Sequence, residues 1–451
     1  MDRSKQLGED KVLALLLKFS IPAMVGMLVN ALYNIVDRIF IGNGVGSLGI
    51  AGLTIGFPIM LVMLAFSMLV GTGSTSLLSI KLGEQKKEEA ERIMGNGLLL
   101  LIGIGLLITV FGLMFLAPML RAFGASEAVL PYSYDYMQII LIGTVFQTIG
   151  FGMNGYIRAL GSPKTAMYTM LIGAALNTVL DPLFIFVFGW GVRGAAIATI
   201  ISQMVSAVWV LSYFFSKNSY LKIHIRNLKI HLDTVWKILA LGLPPFMMQM
   251  AASLLNVIMN KGLNLYGGDV AVSAMGIVSS INMMILMPIF GINQGVQPII
   301  GYNYGAKSFN RVKEALKLAI IGATLIVTLG FLITRIFPAQ LMGLFNKNDN
   351  ELIVIGSRAL SVFLALLPLI GFQIISSNYF QAVGKPRQAM ILTLSRQVLF
   401  LIPSLLILPL IFGLDGLFFA GPLADLLSSI VTGIWLYLEL RHLDRKHKES
   451  L

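Results

Sequence analysis

Twelve stretches, each long and apolar enough to cross a lipid bilayer as a helix, leave this chain little choice of fold. They run near residues 12–39, 50–80, 93–117, 130–157, 164–188, 194–216, 237–264, 270–302, 315–337, 352–381, 387–412 and 416–440. A hydrocarbon core about 30 Å thick is spanned by about 20 helical residues. Inside it every backbone N–H and C=O must find a partner within the protein, and these runs are too long for barrel strands. The expected fold is therefore an all-α polytopic membrane protein with twelve transmembrane helices. Composition agrees, because 57% hydrophobic and 12% charged residues over 451 positions exclude an ordinary soluble domain. The first stretch continues the pattern and has no small-residue cleavage site, so it is expected to be a span rather than a removable signal peptide. There is no cysteine, which rules out disulfides and thiolate metal sites, and four histidines leave little for metal chemistry.

A net charge of +12 raises the question of nucleic acid, and its distribution answers it. The bases concentrate in alternate loops: Arg3, Lys5, Lys11 and Lys18; Lys81, Lys86, Lys87 and Arg92; Arg158 and Lys164; Lys217, Lys222, Arg226, Lys229 and Lys237; Lys307, Arg311, Lys313 and Lys317; Lys385 and Arg387; and the tail from Arg441 to Lys448. The opposite loops hold Arg121, Arg193, Arg335 and Lys347. Such asymmetry is the positive-inside signal, and it places both termini in the cytoplasm. No nucleic-acid partner is expected; the surrounding partner is membrane lipid.

The chain repeats itself. Pro22 and Pro244, Asn34 and Asn256, Gly73 and Gly295, and Gly83 and Gly305 each stand 222 residues apart. Tyr156-Ile-Arg-Ala-Leu-Gly-Ser-Pro pairs with Tyr379-Phe-Gln-Ala-Val-Gly-Lys-Pro at an offset of 223. Six spans are thus followed by six more, which predicts two six-helix lobes, 1–216 and 237–451, joined by a cytoplasmic linker, 217–236. Six is even, so the repeat is parallel, with its pseudo-twofold axis along the membrane normal. A central cavity between two rocking bundles follows from that arrangement.

The polar residues inside the spans are few and patterned. In the first span Asn30, Tyr33, Asn34 and Asp37 recur at i, i+3, i+4 and i+7, one helical face, with Pro22 available to kink the helix beneath them. In the fifth, Asn177 and Asp181 are i and i+4, just before Pro182. Depth follows from the helical rise: Lys18 to Asp37 is roughly 28 Å and Lys164 to Asp181 roughly 25 Å. Two carboxylates on different helices therefore lie at nearly one level in the outer half of the membrane. Tyr136 and Thr199 enter from outside at comparable depth. A carboxylate in lipid is costly and faces a protein interior or a cavity. Such a group can exchange a proton or ligate Na⁺ through oxygen, and the spacing alone does not separate the two. The plainer alternative is that Asp37 caps a helix at the headgroups and Asp181 begins the turn before Pro182.

The second half lacks matching acids and carries methionines, among them Met248, Met259 and Met287, whose flexible polarisable side chains suit a promiscuous apolar binding surface or ordinary packing. With Asn34 they are the candidate lining of a substrate cavity. The same depth arithmetic sets Arg396 in the eleventh span and Asp425 in the twelfth near mid-bilayer, as natural structural partners.

These residues, Ser20-Ile-Pro-Ala-Met with Leu32-Tyr-Asn-Ile-Val-Asp-Arg-Ile-Phe-Ile-Gly, Ala51-Gly-Leu-Thr, Gly83 and Arg158-Ala-Leu-Gly-Ser-Pro, resemble the multidrug and toxic compound extrusion (MATE) family, most closely its MepA-like bacterial branch. The resemblance covers essentially the whole chain. It implies a secondary antiporter of the bacterial or archaeal plasma membrane, acting as a monomer without cofactor, that exports cationic or amphipathic drugs in exchange for H⁺ or Na⁺. It further implies that the family's amino-terminal cation site falls on Asp37, Asn177, Asp181 and Thr199, with Tyr136 and Asn154 as neighbours, and that the family's kinked first helix bends at Pro22. NorM-like members carry a glutamate on span seven and an aspartate on span ten; Pro245–Ser253 and Gln373–Tyr379 contain no acid here. A lipid-linked precursor flippase of the wider superfamily is the rival reading, but it would be expected to line its cavity with several bases. An intramembrane enzyme would need a nucleophile–base or metal set within a span, and none is present.

Overall fold

The computed structural model describes residues 3–217, 219–224, 227–345 and 349–449, without the side chains of Arg3, Asn34, Ser47, Asp269 and 446–449. The expectation that Asn34 lines a cavity thus lies outside the described side chains. Among the described residues there is helix and no strand. The spanning helices are α1 (Val12–Val45), α2 (Leu48–Gly83), α3 (Lys87–Ala122), α4 (Leu130–Ile142 with Thr144–Ala159), α5 (Pro163–Val187) and α6 (Gly191–Phe215), then α7 (Leu232–Gly268), α8 (Val270–Gly305), α9 (Phe309–Ile336), α10 (Asn350–Phe363 with Leu367–Ala382), α11 (Pro386–Phe412) and α12 (Leu414–Arg445). Every apolar run of the sequence coincides with one of them.

Two of the twelve are broken rather than straight. α4 bends by 56° about Gly143 and α10 by 49° across residues 364–366. Gly143 and Ala365 are themselves 222 residues apart. The second piece of α10 starts at Leu367-Pro368, where the proline, having no N–H to lose, sits in the first turn. The turns that follow are also matched. Gly161 and Gly384 both have φ of 79°, a left-handed conformation that glycine adopts without steric cost, and Pro163 and Pro386 then open α5 and α11. α7 and α8 meet directly at Gly268, the one non-helical residue between them.

Within 12–215, α1 packs on α5 and α2 on α3 and α4; within 232–449, α9 packs on α10 and α10 on α12. Contact between the two groups runs chiefly through α1 and α2 against α7 and α8. Outward faces such as Leu106, Leu107, Val110 and Phe111 on α3, or Leu406, Ile407, Leu410 and Ile411 on α11, are exposed and form the belt that meets hydrocarbon. The linker is no free tether. Glu91 Oε1 accepts from the Lys222 amide at 3.4 Å, Asn96 Oδ1 accepts from the His231 amide at 2.8 Å, and Gly95 lets the Asn227 carbonyl approach α3 closely.

Candidate functional site

Four helices of the first half converge on one buried polar cluster. Asp37 comes from α1, Tyr136 from α4, Asn177 and Asp181 from α5, and Thr199 from α6; all five are buried. Asn177 Nδ2 donates to Asp181 Oδ1 at 3.2 Å and approaches Thr199 Oγ1 at 3.3 Å. The carboxyl groups of Asp37 and Asp181 are in hydrogen-bonding contact with each other, and the Tyr136 hydroxyl with Thr199. The fifth helix supplies two members because i and i+4 share a face, and it then widens into a π-helical turn, Leu183–Val187, directly after Pro182.

Three buried oxygens of this cluster, Asp37 Oδ1, Asn177 Oδ1 and Asp181 Oδ2, have no hydrogen-bond partner. Buried polar atoms are normally paired, so each calls for an explanation. Two touching carboxyls cannot both hold a negative charge in a dry site; one proton shared between them, or a cation between them, relieves the repulsion. Every donor is a hard oxygen, with hydroxyl and amide oxygens completing the set, which suits a proton or a monovalent alkali cation. No group of three or more His, Cys, Asp or Glu occurs among the described residues, so a polyvalent metal cage is not what is built here.

Depth arithmetic from the sequence therefore brought together the right helices. Tyr33, one turn before Asp37, also lies close enough to Tyr136 to interact with it electrostatically; its i, i+4 relation to Asp37 was the available signal. Asn154 does not join the cluster. Its Nδ2 donates to the Ala166 carbonyl at 2.8 Å and its Oδ1 accepts from Arg158, at the start of α5 and roughly 22 Å along that helix from Asp181. It ties α4 to the head of α5. Asn154→Ala is accordingly expected to lower thermal stability by about 1 kcal/mol while leaving the cation dependence of drug binding at the wild-type level, measured side by side on the purified protein.

α1 continues as helix through Pro22. The methionines divide: Met259 packs against the core, Met248 and Met287 are half-buried, and Met283 and Met284 are exposed. In the second half, Arg396 Nε donates to Asp425 Oδ1 at 2.6 Å. Arg396 stands in a π-helical stretch of α11, Ser395–Leu401, and the Asp425 side chain is 1% exposed.

The profile of the MatE family matches residues 22–183 and again 244–407. The multidrug export protein MepA of Staphylococcus haemolyticus (strain JCSC1435) is 27% identical over 429 residues, 95% of this chain and 94% of its own. A MATE protein crystallised in the bent conformation superposes with a TM-score of 0.93 at 27% identity, over 99% of both chains. The MATE multidrug transporter DinF-BH, solved with a drug dye bound, is 42% identical, with a TM-score of 0.88 over 94% of this chain and 95% of that one.

Proposed function

The chain belongs to the MatE family, and on that premise we propose that it is a secondary active multidrug efflux antiporter that exports cationic or amphipathic compounds in exchange for H⁺ or Na⁺. The observation that carries the coupling is the buried Asp37–Asp181 contact with three unpartnered oxygens around it. Loading those oxygens with a proton or a cation changes the charge and packing between α1 and α5. Pro22 weakens the backbone of α1 below that point, so the helix can answer by bending. The moving bodies are the lobes 1–216 and 237–451, with 217–236 as the strap between them. Both termini lie in the cytoplasm of a cell whose plasma membrane holds the protein as a monomer.

Drug binding falls to the cavity between the lobes, with Asn34, Met248, Met259 and Met287 as its candidate lining. The relatives named above support that reading by what they are called: multidrug export proteins, one with a dye bound. Reconstituted protein tests it directly. In proteoliposomes, a proton or sodium gradient imposed separately is expected to drive uptake or release of a fluorescent organic cation, and one gradient alone is expected to suffice. Drug movement that ignores both gradients would sink the antiport reading, and movement of a lipid-linked pyrophosphate instead would replace it with a flippase.

A further inference from the structure

Glycines on α2, α7 and α8 divide into two populations along the membrane normal. Toward the end that carries the termini and the linker, they press on the backbone of the other half. A Cβ on Gly73 would lie 2.1 Å from the Ile238 carbonyl oxygen, and one on Gly242 would lie 1.6 Å from that of Leu69. On Gly295 it would meet the Ser20 amide nitrogen at 2.7 Å, on Gly83 the Tyr302 oxygen at 1.9 Å, and on Gly305 the Ile80 oxygen at 2.1 Å. Toward the opposite end the pattern stops. A Cβ on Gly42, Gly52, Gly56, Gly262 or Gly267 would meet only side chains and backbone of its own half, and Gly276 has nothing within 4 Å.

The crossings obey the internal repeat, since Gly73 pairs with Gly295 and Gly83 with Gly305 at 222 residues. Polar links between the halves sit at the same end. Gln297 Nε2 donates to Ser76 Oγ at 2.7 Å, Gln85 Nε2 to the Tyr302 hydroxyl at 3.1 Å, and Asn303 Nδ2 to the Leu7 carbonyl at 2.8 Å. Backbones that approach this closely exclude water and leave no passage.

We propose that this pseudo-symmetric glycine seam, Gly73 and Gly83 with Gly242, Gly295 and Gly305, is the gate that seals the terminus-and-linker end of the molecule, and that it exists only in the state seen here. A gate that closes by backbone contact is all-or-none. One methyl group in the seam cannot be absorbed by a side-chain rotation, because what it meets is the backbone of the other half. Substitution there therefore opposes the closed state and leaves the other facing state, in which the halves are parted at this end, free of the clash. The inference rests on the transporter reading for its purpose, though not for its measurement.

Because the chain has no cysteine, a pair can be introduced without background. Ser76→Cys with Gln297→Cys should form a disulfide across the seam, stop drug exchange in proteoliposomes and release it on reduction. Gly242→Ala or Gly295→Ala in that background should slow disulfide formation by roughly tenfold or more, whereas Gly276→Ala should not change it. The cross-linking rate needs no transported drug, so it reads the seam even if export itself is disproved. Cross-linked protein that exchanges drug at the uncross-linked rate would overturn the proposal. So would equal disulfide rates in the Gly242→Ala, Gly295→Ala and Gly276→Ala variants; two seam variants are included so that poor folding of one leaves the other to decide.

Discussion

Asp37→Asn is expected to abolish cation-driven drug export, down to the rate of protein-free vesicles, while the protein still inserts, folds and binds drug. Asparagine keeps the shape of a protonated aspartate but can neither release that proton nor offer a charged ligand to Na⁺. It therefore fixes the cluster in one of the two electrostatic states between which coupling must alternate. A ligand moves a conformational equilibrium only by its differential affinity for the two states, and the variant removes that difference at its source. Asp181→Asn removes the second carboxyl but leaves Asp37 beside Asn177 and Thr199, so a weaker effect is expected. Equilibrium binding of a fluorescent drug over a range of pH and Na⁺ separates the cases. Wild type should lose drug affinity as the cluster is loaded, whether by falling pH or rising Na⁺. Asp181→Asn should show a shallow dependence and Asp37→Asn none. Full wild-type dependence in both variants would move the coupling site elsewhere, with Asp425 the next ionisable group to examine.

The elements were legible because hydrocarbon leaves the backbone no alternative: an apolar run of about 20 or more residues has to be a helix. The bends in α4 and α10 were not, since Gly143 and residues 364–366 interrupt the helix without interrupting its hydropathy. The cluster could be found because helical rise is constant, so a count of residues from a basic loop becomes a depth and two depths can be compared. The same count set Asn154 near the other membrane face, where it is indeed found; only the likeness to a family had drawn it toward Asp37. Glycine positions could be paired at 222, yet which of them face the other half depends on how the two halves lean together, and spacing carries no trace of that. Methionine presents the same difficulty: Met259 and Met284 look alike in sequence, one packed on the core and the other exposed.

Arg396→Ala is expected to destabilise the protein by about 3–5 kcal/mol, seen as a fall in Tm in detergent and in the yield of inserted protein. The loss comes less from the missing attraction than from what remains. Asp425 is 1% exposed and, once Arg396 Nε no longer donates at 2.6 Å, would hold a charge with no counter-ion to offset its desolvation. Removing both charges is a different experiment. With Arg396→Leu and Asp425→Leu together, no ion is stranded, and two leucines fill much of the same space between α11 and α12. The double variant is therefore expected to be more stable than Arg396→Ala, close to wild type or above it. The contrast also bears on function. If the pair only holds the two helices together, the double variant should export drug with the wild-type dependence on pH and Na⁺. If it folds normally but has lost that dependence, Asp425 belongs to the coupling machinery and the second half takes part in the cation cycle. Equal Tm for Arg396→Ala and wild type would show that the contact contributes nothing to either.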